Sequence, residues 1–153
     1  MHVHIRQAGP ADRDQLAQLR EALWPETPAA AHARELAPIL ASDTPGAMPL
    51  MNFVAETADG RLTGFVEVDL RSRADGCDPA RPVGYLEGWY VAEECRRSGV
   101  GRRLLQAAED WARSHGCVEM ASDTWIDNER SQSCHEALGF EVVDRCVHYR
   151  KAL

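Results

Sequence analysis

Tyr85-Leu86-Glu87-Gly88-Trp89-Tyr90-Val91, then Ala92-Glu93-Glu94-Cys95, then Arg96-Arg97-Ser98-Gly99-Val100-Gly101-Arg102-Arg103-Leu104-Leu105 is the stretch on which the fold turns. Its first seven residues are apolar and aromatic apart from Glu87 and Gly88, the pattern of a buried strand. Its far end opens an amphipathic helix, with Leu104, Leu105, Ala108, Trp111 and Ala112 at helical spacing. Between the two lies Arg96-x-x-Gly99-x-Gly101. Strand, glycine-bearing loop and helix together make an anion cradle, because the free N–H groups of a helix's first turn and its dipole both favour negative charge. Gly99 and Gly101 let a phosphate approach the backbone, and Arg96, Arg97, Arg102 and Arg103 add charge around it. The spacing fits neither the dinucleotide fingerprint Gly-x-Gly-x-x-Gly nor a phosphate loop ending in Gly-Lys-Ser/Thr.

Upstream, His2 to Gln7 alternates as a first strand, and Pro10 opens a helix whose stripe of Leu16, Leu19 and Leu23 stops at Pro25. A second helix is predicted from Pro28 through Leu36, Ile39 and Leu40, shortened or kinked by Pro38, and residues 42–49 form a loop. Leu50 to Thr57 and Arg61 to Arg71 read as strands joined at Ala58-Asp59-Gly60, with a polar loop from Ser72 to Pro82. Downstream, His115-Gly116 ends the central helix and Cys117 to Thr124 is a strand. Asp127 or Asn128 starts a helix that runs to Leu138, and Glu141 to Arg150 supplies one or two last strands.

At 153 residues the chain reads as one domain, residues 1–153, with no internal repeat or linker. Its apolar runs are too short for a membrane span, and Met-His-Val-His-Ile-Arg is no signal peptide. Five cysteines, an odd number without paired spacing, argue for reduced thiols in the cytoplasm. No Cys/His group has metal-ligand spacing, so no metal is expected. The net charge of −7 disfavours nucleic acid and suits a cationic ligand.

Arg96-x-x-Gly99-x-Gly101 between strand and helix resembles the pyrophosphate loop of the GCN5-related N-acetyltransferases, and the order of elements resembles that fold along nearly the whole chain. The resemblance implies an α/β domain with a mixed, mostly antiparallel central sheet, a splayed parallel strand pair and flanking helices. It implies acetyl-coenzyme A as the acetyl donor, held by Trp89, Tyr90, Val91, Arg96, Arg97, Ser98, Gly99, Val100, Gly101 and Arg102. A second motif, Asn128-x-x-Ser131-x-x-x-His135-x-x-Leu138-Gly139-Phe140, is similar to the family's Asn-x-x-Ala-x-x-x-Tyr-x-x-Leu-Gly-Phe helix and adds Asn128 and Ser131 to that set. Where the family has the tyrosine that protonates the departing thiolate, this chain has His135. Leu86 to Val91, Arg96 to Val100, Ala121-Ser122-Asp123 and Leu23-Trp24 together are similar to a group of aminoglycoside 6′-N-acetyltransferases. That implies resistance by direct acetyl transfer to a cationic drug, and a homodimer is among the assemblies it allows.

The residues make chemical sense of this. An aminoglycoside carries several ammonium groups, so its pocket should offer carboxylates and aromatic faces. Trp24, Tyr85, Glu87, Asp123 and Trp125 are the expected acceptor contacts. By alternation, Tyr85, Glu87, Trp89 and Val91 should share one face, and Glu119, Ala121 and Asp123 another. A parallel pair joined by a crossover helix brings Glu87 and Asp123 to the cofactor loop. Gly88 permits a bulge, and the Trp89 N–H beside it is the expected donor to the thioester oxygen. Asp123 or Glu87 would position the ammonium and pass its proton on through water, with His135 as the candidate acid. Each residue also has a plain role. Asp123 caps the following helix or turn, Glu119 is a paired structural carboxylate, Trp24, Trp89 and Tyr90 belong partly to the core, Trp125 packs or rims the pocket, Tyr149 is a strand residue, and His135 is a hydrogen-bonded core residue. Two other functions fit the same motifs: acetylation of a polyamine or a protein N-terminus, and a non-catalytic acetyl-coenzyme A sensor, which the missing tyrosine would favour.

Overall fold

A computed structural model describes residues 3–41 and 49–153. The expectations for His2 and for residues 42–48 lie outside them. Strand β1 (Val3–Gln7) leads through a 3-10 turn at Pro10–Asp12 into α1 (Arg13–Leu23) and α2 (Ala29–Leu40). Pro38 falls in the last turn of α2, and the helix carries it to Leu40. The meander β2 (Leu50–Thr57), β3 (Leu62–Arg71) and β4 (Val83–Val91) follows, then α3 (Val100–Ser114), β5 (Met120–Ser122) and α4 (Glu129–Ala137). The five strands lie in sequence order in one sheet, antiparallel except for the parallel pair β4–β5. The α/β arrangement expected from the sequence is the one observed.

Two cores sandwich the sheet. On one face, Leu104, Leu105 and Ala108 of α3 meet Val66, Val68, Ala55 and Leu86. On the other, Leu16 and Ala17 of α1 and Leu36 of α2 meet Val54 and Phe65. Alternation along β3 assigns Val66, Val68 and Leu70 to the α3 face and Phe65, Glu67, Asp69 and Arg71 to the α1/α2 face. The near end of the sheet is tied to α1 by Arg6. Its guanidinium donates from Nη1 and Nη2 to the two carboxylate oxygens of Asp12, each at 2.7 Å, and from Nε to Glu56 at 2.7 Å. The Gly9 N–H donates to the same Asp12 carboxylate at 2.7 Å.

The β3–β4 ladder pairs Glu67 with Gly88 and then Val68 with Leu86, so Glu87 is an extra residue with no partner. This bulge changes the phase of β4. Gly84 and Leu86 face α3, and beyond the bulge so do Trp89 and Val91. Gly88 and Tyr90 instead face the α1/α2 side, where Trp24 and Leu16 lie. The expectation that Tyr85, Glu87, Trp89 and Val91 share a face is therefore corrected: one inserted residue sends the last two to the opposite side. β5 pairs with β4 only as far as Ser122 with Leu86, and β4 runs on to Val91 without it.

β5 is shorter than the Cys117–Thr124 span expected, and Glu141 to Arg150 forms no strand. The residues have strand character, but a strand needs an edge to pair with, and in the single chain this segment meets none. Val142, Val143 and Val147 stand mostly in solvent, and Tyr149 is 91% exposed.

Candidate functional site

The loop after β4 is built to leave donors open. Arg97, at φ 59°, and Gly99, at φ 83°, both take left-handed backbone, which turns successive N–H groups into one concavity. For arginine this conformation is strained, the kind of feature that collects at ligand sites. Gly99 precedes α3 and supplies no side-chain cap, so the first-turn N–H groups have no acceptor within the helix. Arg96 is fixed by its Nε donating to the Val91 carbonyl at 2.8 Å and by its guanidinium 5.7 Å from the Tyr90 ring centroid. Ser98 donates to the Cys95 carbonyl at 2.5 Å, while Arg97, Ser98 and Arg102 are exposed. A Cβ on Gly101 would stand 3.1 Å from the Trp89 ring. The Trp89 Nε1 is buried, with no hydrogen-bond partner among the described residues. An anion cradle beside an orphaned buried donor, in the gap where β4 leaves β5, fits a phosphate-bearing ligand with a polar arm.

α4 borders that gap. Asn128 is its N-cap and accepts from the Ser131 N–H at 3.1 Å, which leaves its own amide N–H₂ available. His135 lies edge-on to Trp89, with centroids 5.7 Å apart, and edge-on to Phe140 at 5.2 Å. Its Nδ1 is 2.7 Å from the Ser131 carbonyl, which can only accept, so Nδ1 carries the proton. Nε2 lies 2.9 Å from the Ser122 hydroxyl, which also donates to the Leu86 carbonyl at 3.3 Å. Both ring nitrogens are thus turned to Ser131 and Ser122 and not to the gap.

The other side of the bulge is acidic. Tyr85 and Glu87 of β4 meet Asp69 and Arg71 of β3, and Asp69 stands opposite Tyr85 in the ladder. Arg71 donates to the Glu87 carboxylate, its Nε lies 3.8 Å from Asp69, and its Cζ sits 3.3 Å from the Tyr85 ring centroid. Burial, and after it the neighbouring Glu87 carboxylate, pushes the Asp69 carboxyl up to about 7. Burial and the adjacent Asp123 push the Tyr85 phenol up to about 12, and its hydroxyl donates to Asp123. Trp24, at the C-terminus of α1, lies against Gly88, where a Cβ would come within 2.6 Å of the indole. Gly88 is a glycine because the indole occupies that space.

Deeper on the same face, Arg20 of α1 lies between Glu67 (3.5 Å) and Glu35 of α2 (3.6 Å), with its Cζ 5.1 Å from the Trp24 centroid. Burial holds the Glu67 carboxyl above its usual range against the pull of Arg20. His32 and Asn52 are buried beside this group.

The structure thus brings Trp24, Tyr85, Glu87 and Asp123 together on one side of the bulge. It brings Trp89, Gly101 and His135, with Ser131 and Asn128, together on the other. Trp125 is 75% exposed and joins neither group. Glu119 accepts from the Asp78 N–H at 2.8 Å, the structural part expected of it. Sequence reasoning missed Asp69, Arg71, Glu67 and Arg20. The signal for the first three was the polar phase of Phe65-Val66-Glu67-Val68-Asp69-Leu70-Arg71.

Residues 16–140 match the Acetyltransferase (GNAT) family. A protein of Stenotrophomonas maltophilia named aminoglycoside N(6')-acetyltransferase type 1 is 45% identical over 149 residues, covering 97% of this chain and 93% of that protein. A protein of the same name from Klebsiella aerogenes is 39% identical over 149 residues, covering 97% and 96%. Among solved structures, AAC(6')-Iy in complex with the bisubstrate analog CoA-S-monomethyl-acetylneamine superposes with a TM-score of 0.86 at 39% identity, covering 100% of both chains. The 6'-N-acetyltransferase AAC(6')-Ih from Acinetobacter baumannii gives a TM-score of 0.86 at 29% identity over 99% of each chain.

Proposed function

The chain belongs to the Acetyltransferase (GNAT) family, and we propose that it transfers the acetyl group of acetyl-coenzyme A to the 6′-amino group of aminoglycosides. The observation that carries the acceptor side is the meeting of Trp24, Tyr85, Glu87 and Asp123 around the bulge: two carboxylates and two aromatic faces, the set a polycationic sugar requires.

Acetyl-coenzyme A supplies an acetyl group already activated as a thioester. The N–H groups from Arg97 to Arg102 would hold its pyrophosphate, with Arg96, Arg97 and Arg102 adding charge and Asn128 and Ser131 flanking the arm. Val91 lines the α3 side of the strand, Tyr90 turns to the opposite side and meets the cofactor loop only through Arg96, and Val100 packs the start of α3 into the core. The Trp89 N–H, just past the bulge, is our donor to the thioester oxygen as charge develops there. Glu87 and Asp123 receive the acceptor ammonium. Its proton must leave before nitrogen can attack, and a carboxylate next to water carries it off. Holding amine and thioester at contact accounts for much of the rate.

A homodimer suits the C-terminal segment. β5 is an edge strand of the sheet, and residues 141–153 are an exposed, unpaired arm carrying Val142, Val143, Val147 and Tyr149 in solvent, so a second copy offers each what it lacks. Sedimentation velocity reads this directly, and a monomer at micromolar concentration would refute it. Five cysteines, none in a disulfide, support a reducing cytoplasm, and among the described residues no helix is long and apolar enough to cross a membrane.

Steady-state turnover with kanamycin-type and gentamicin-type drugs against simple polyamines tests the substrate class. Glu87→Gln and Asp123→Asn test the seat. Each should lower kcat/KM for an aminoglycoside by about ten- to a hundred-fold, the worth of a charge-assisted contact, while KM for acetyl-coenzyme A holds or falls slightly. Full activity in both variants would remove the carboxylates from the acceptor pocket.

A further inference from the structure

Arg71 already occupies the place an acceptor ammonium would take. Its guanidinium lies over the Tyr85 ring, donates to Glu87 and stands near Asp69. These are an aromatic face and two carboxylates, the contacts that recognise a protonated amine. Among the described residues, nothing else locks the side chain in place. Arg71 is the last residue of β3, its side chain is 41% exposed, and it opens onto a groove of about 410 Å³ lined by Pro49, Leu70, Arg81 and Pro82. The guanidinium therefore has a route out of the seat.

We propose that Arg71 is a resident cation that gives way to the substrate, and that it sets how strongly cationic an acceptor must be. The inference rests on reading Glu87 and Asp123 as the acceptor seat. In the free protein Asp69 and Glu87 both border the Arg71 guanidinium, with Glu67 on the same face of β3, and two neighbouring carboxylates without a cation repel. Arg71 relieves that repulsion. An amine with one charge must displace a tethered guanidinium and gains nothing elsewhere. A polycation displaces it and keeps its remaining ammonium groups for Asp123 and the rest of the acidic face. Arg71 thus acts as a specificity-determining residue through competition, and its removal should improve binding.

The test compares Arg71→Gln and Arg71→Lys with the parent, using kanamycin A and the monoamine 6-amino-6-deoxyglucose as acceptors. Removing a partly exposed competing charge should lower the acceptor KM of Arg71→Gln by about three- to ten-fold. The gain should be larger for the monoamine, so that the preference for kanamycin shrinks, and Arg71→Lys should return toward the parent. KM for acetyl-coenzyme A should not move. An unchanged or raised acceptor KM in Arg71→Gln overturns the proposal. Should that variant not fold, the arginine Nε–H resonances of the parent protein decide. Saturation with kanamycin must shift the ring-shielded Arg71 signal toward that of a free guanidinium, and an unmoved signal overturns the proposal. The two readings fail differently. If Glu87→Gln raises the kanamycin KM while Arg71→Gln leaves it alone, only the competition idea falls. If neither variant moves it, the acceptor seat itself falls.

Discussion

Arg6 and Arg71 each sit on this sheet with two carboxylates, and the two clusters behave in opposite ways. Around Arg6 every charge is answered: two bonds to Asp12, one to Glu56, and a backbone N–H on Asp12 as well. The arginine therefore holds both carboxyls below their ordinary range. Around Arg71 the carboxyls outrun the cation. Asp69 is pushed up to about 7, and one of its oxygens is buried without a hydrogen bond among the described residues. The same residue types thus make a rivet in one place and a seat in the other. What separates them is whether the hydrogen bonds are used up before a ligand arrives.

The largest effect should come from breaking the rivet. The Asp12 side chain is only 7% exposed, and Asp12→Asn leaves Arg6 facing an amide that cannot match its fork. We expect a loss of about 2–3 kcal/mol, the cost of opening a mostly buried, bidentate pair whose arginine keeps some solvent. For a chain of this size that is a fall in Tm of roughly 5–10 °C. Because the folded Asp12 carboxyl lies below its unfolded value of 3.8, its contribution is present above that pH and disappears as pH falls below it. The variant should therefore lose stability at pH 7 and converge with the parent in acid. Its kcat/KM per folded molecule should be unchanged, and a selective loss of turnover would erase the distinction between the clusters.

The sequence told more about the rivet's surroundings and the cofactor loop than about the seat. The Arg96-x-x-Gly99-x-Gly101 signal is local: two glycines and a helix start carry it, and neighbours in sequence are neighbours in space. The seat is not local. Asp69 and Arg71 alternate with Val68 and Leu70, the pattern of any strand with one face in water. Only the packing of α1 and α2 against the upper part of that face shows that its lower part is a half-covered pocket. The bulge was hidden for a related reason. Glu87 and Trp89 fit an unbroken alternation, and the inserted residue appears only once β3 fixes the register. The tail from Glu141 has strand composition, and what decides its pairing lies outside its own residues.

A smaller effect, opposite in sign, should follow at the seat. With its folded carboxyl near 7 and an unfolded value of 3.8, Asp69 binds a proton more tightly folded than unfolded. Its favourable contribution is complete below pH 3.8 and is lost as pH rises through 7. Asp69→Asn removes that slope. We expect it to be more stable than the parent at pH 8 by on the order of 1 kcal/mol and to differ little at pH 4. Aminoglycoside kcat/KM should drop about three-fold or more, since the seat loses a group that can ionise against an incoming cation. Chemical denaturation at the two pH values reads the first effect. Greater stability of the parent at pH 8 would place Asp69 with Asp12.

The smallest effect should be at His135, where the comparison is most exposed because position and bonding disagree. The residue stands in the gap beside Trp89, at the motif position where the resemblance implies an acidic tyrosine, yet its hydrogen bonds resemble those of the rivet. Nδ1–H is committed to the Ser131 carbonyl, Nε2 is bonded to the Ser122 hydroxyl, and the ring packs edge-to-face with Trp89 and Phe140. If used-up bonding marks a structural group, His135→Ala should cost about 1 kcal/mol of stability and change kcat by less than about two-fold. Ser122 keeps a second acceptor, the Leu86 carbonyl at 3.3 Å, which limits the damage. A general acid would behave otherwise: kcat would fall by about a hundred-fold with KM nearly constant, and its alkaline limb would vanish from the pH profile. That result would show that a bonded-out histidine can still deliver a proton here. Used-up hydrogen bonds would then no longer separate rivet from seat in this protein.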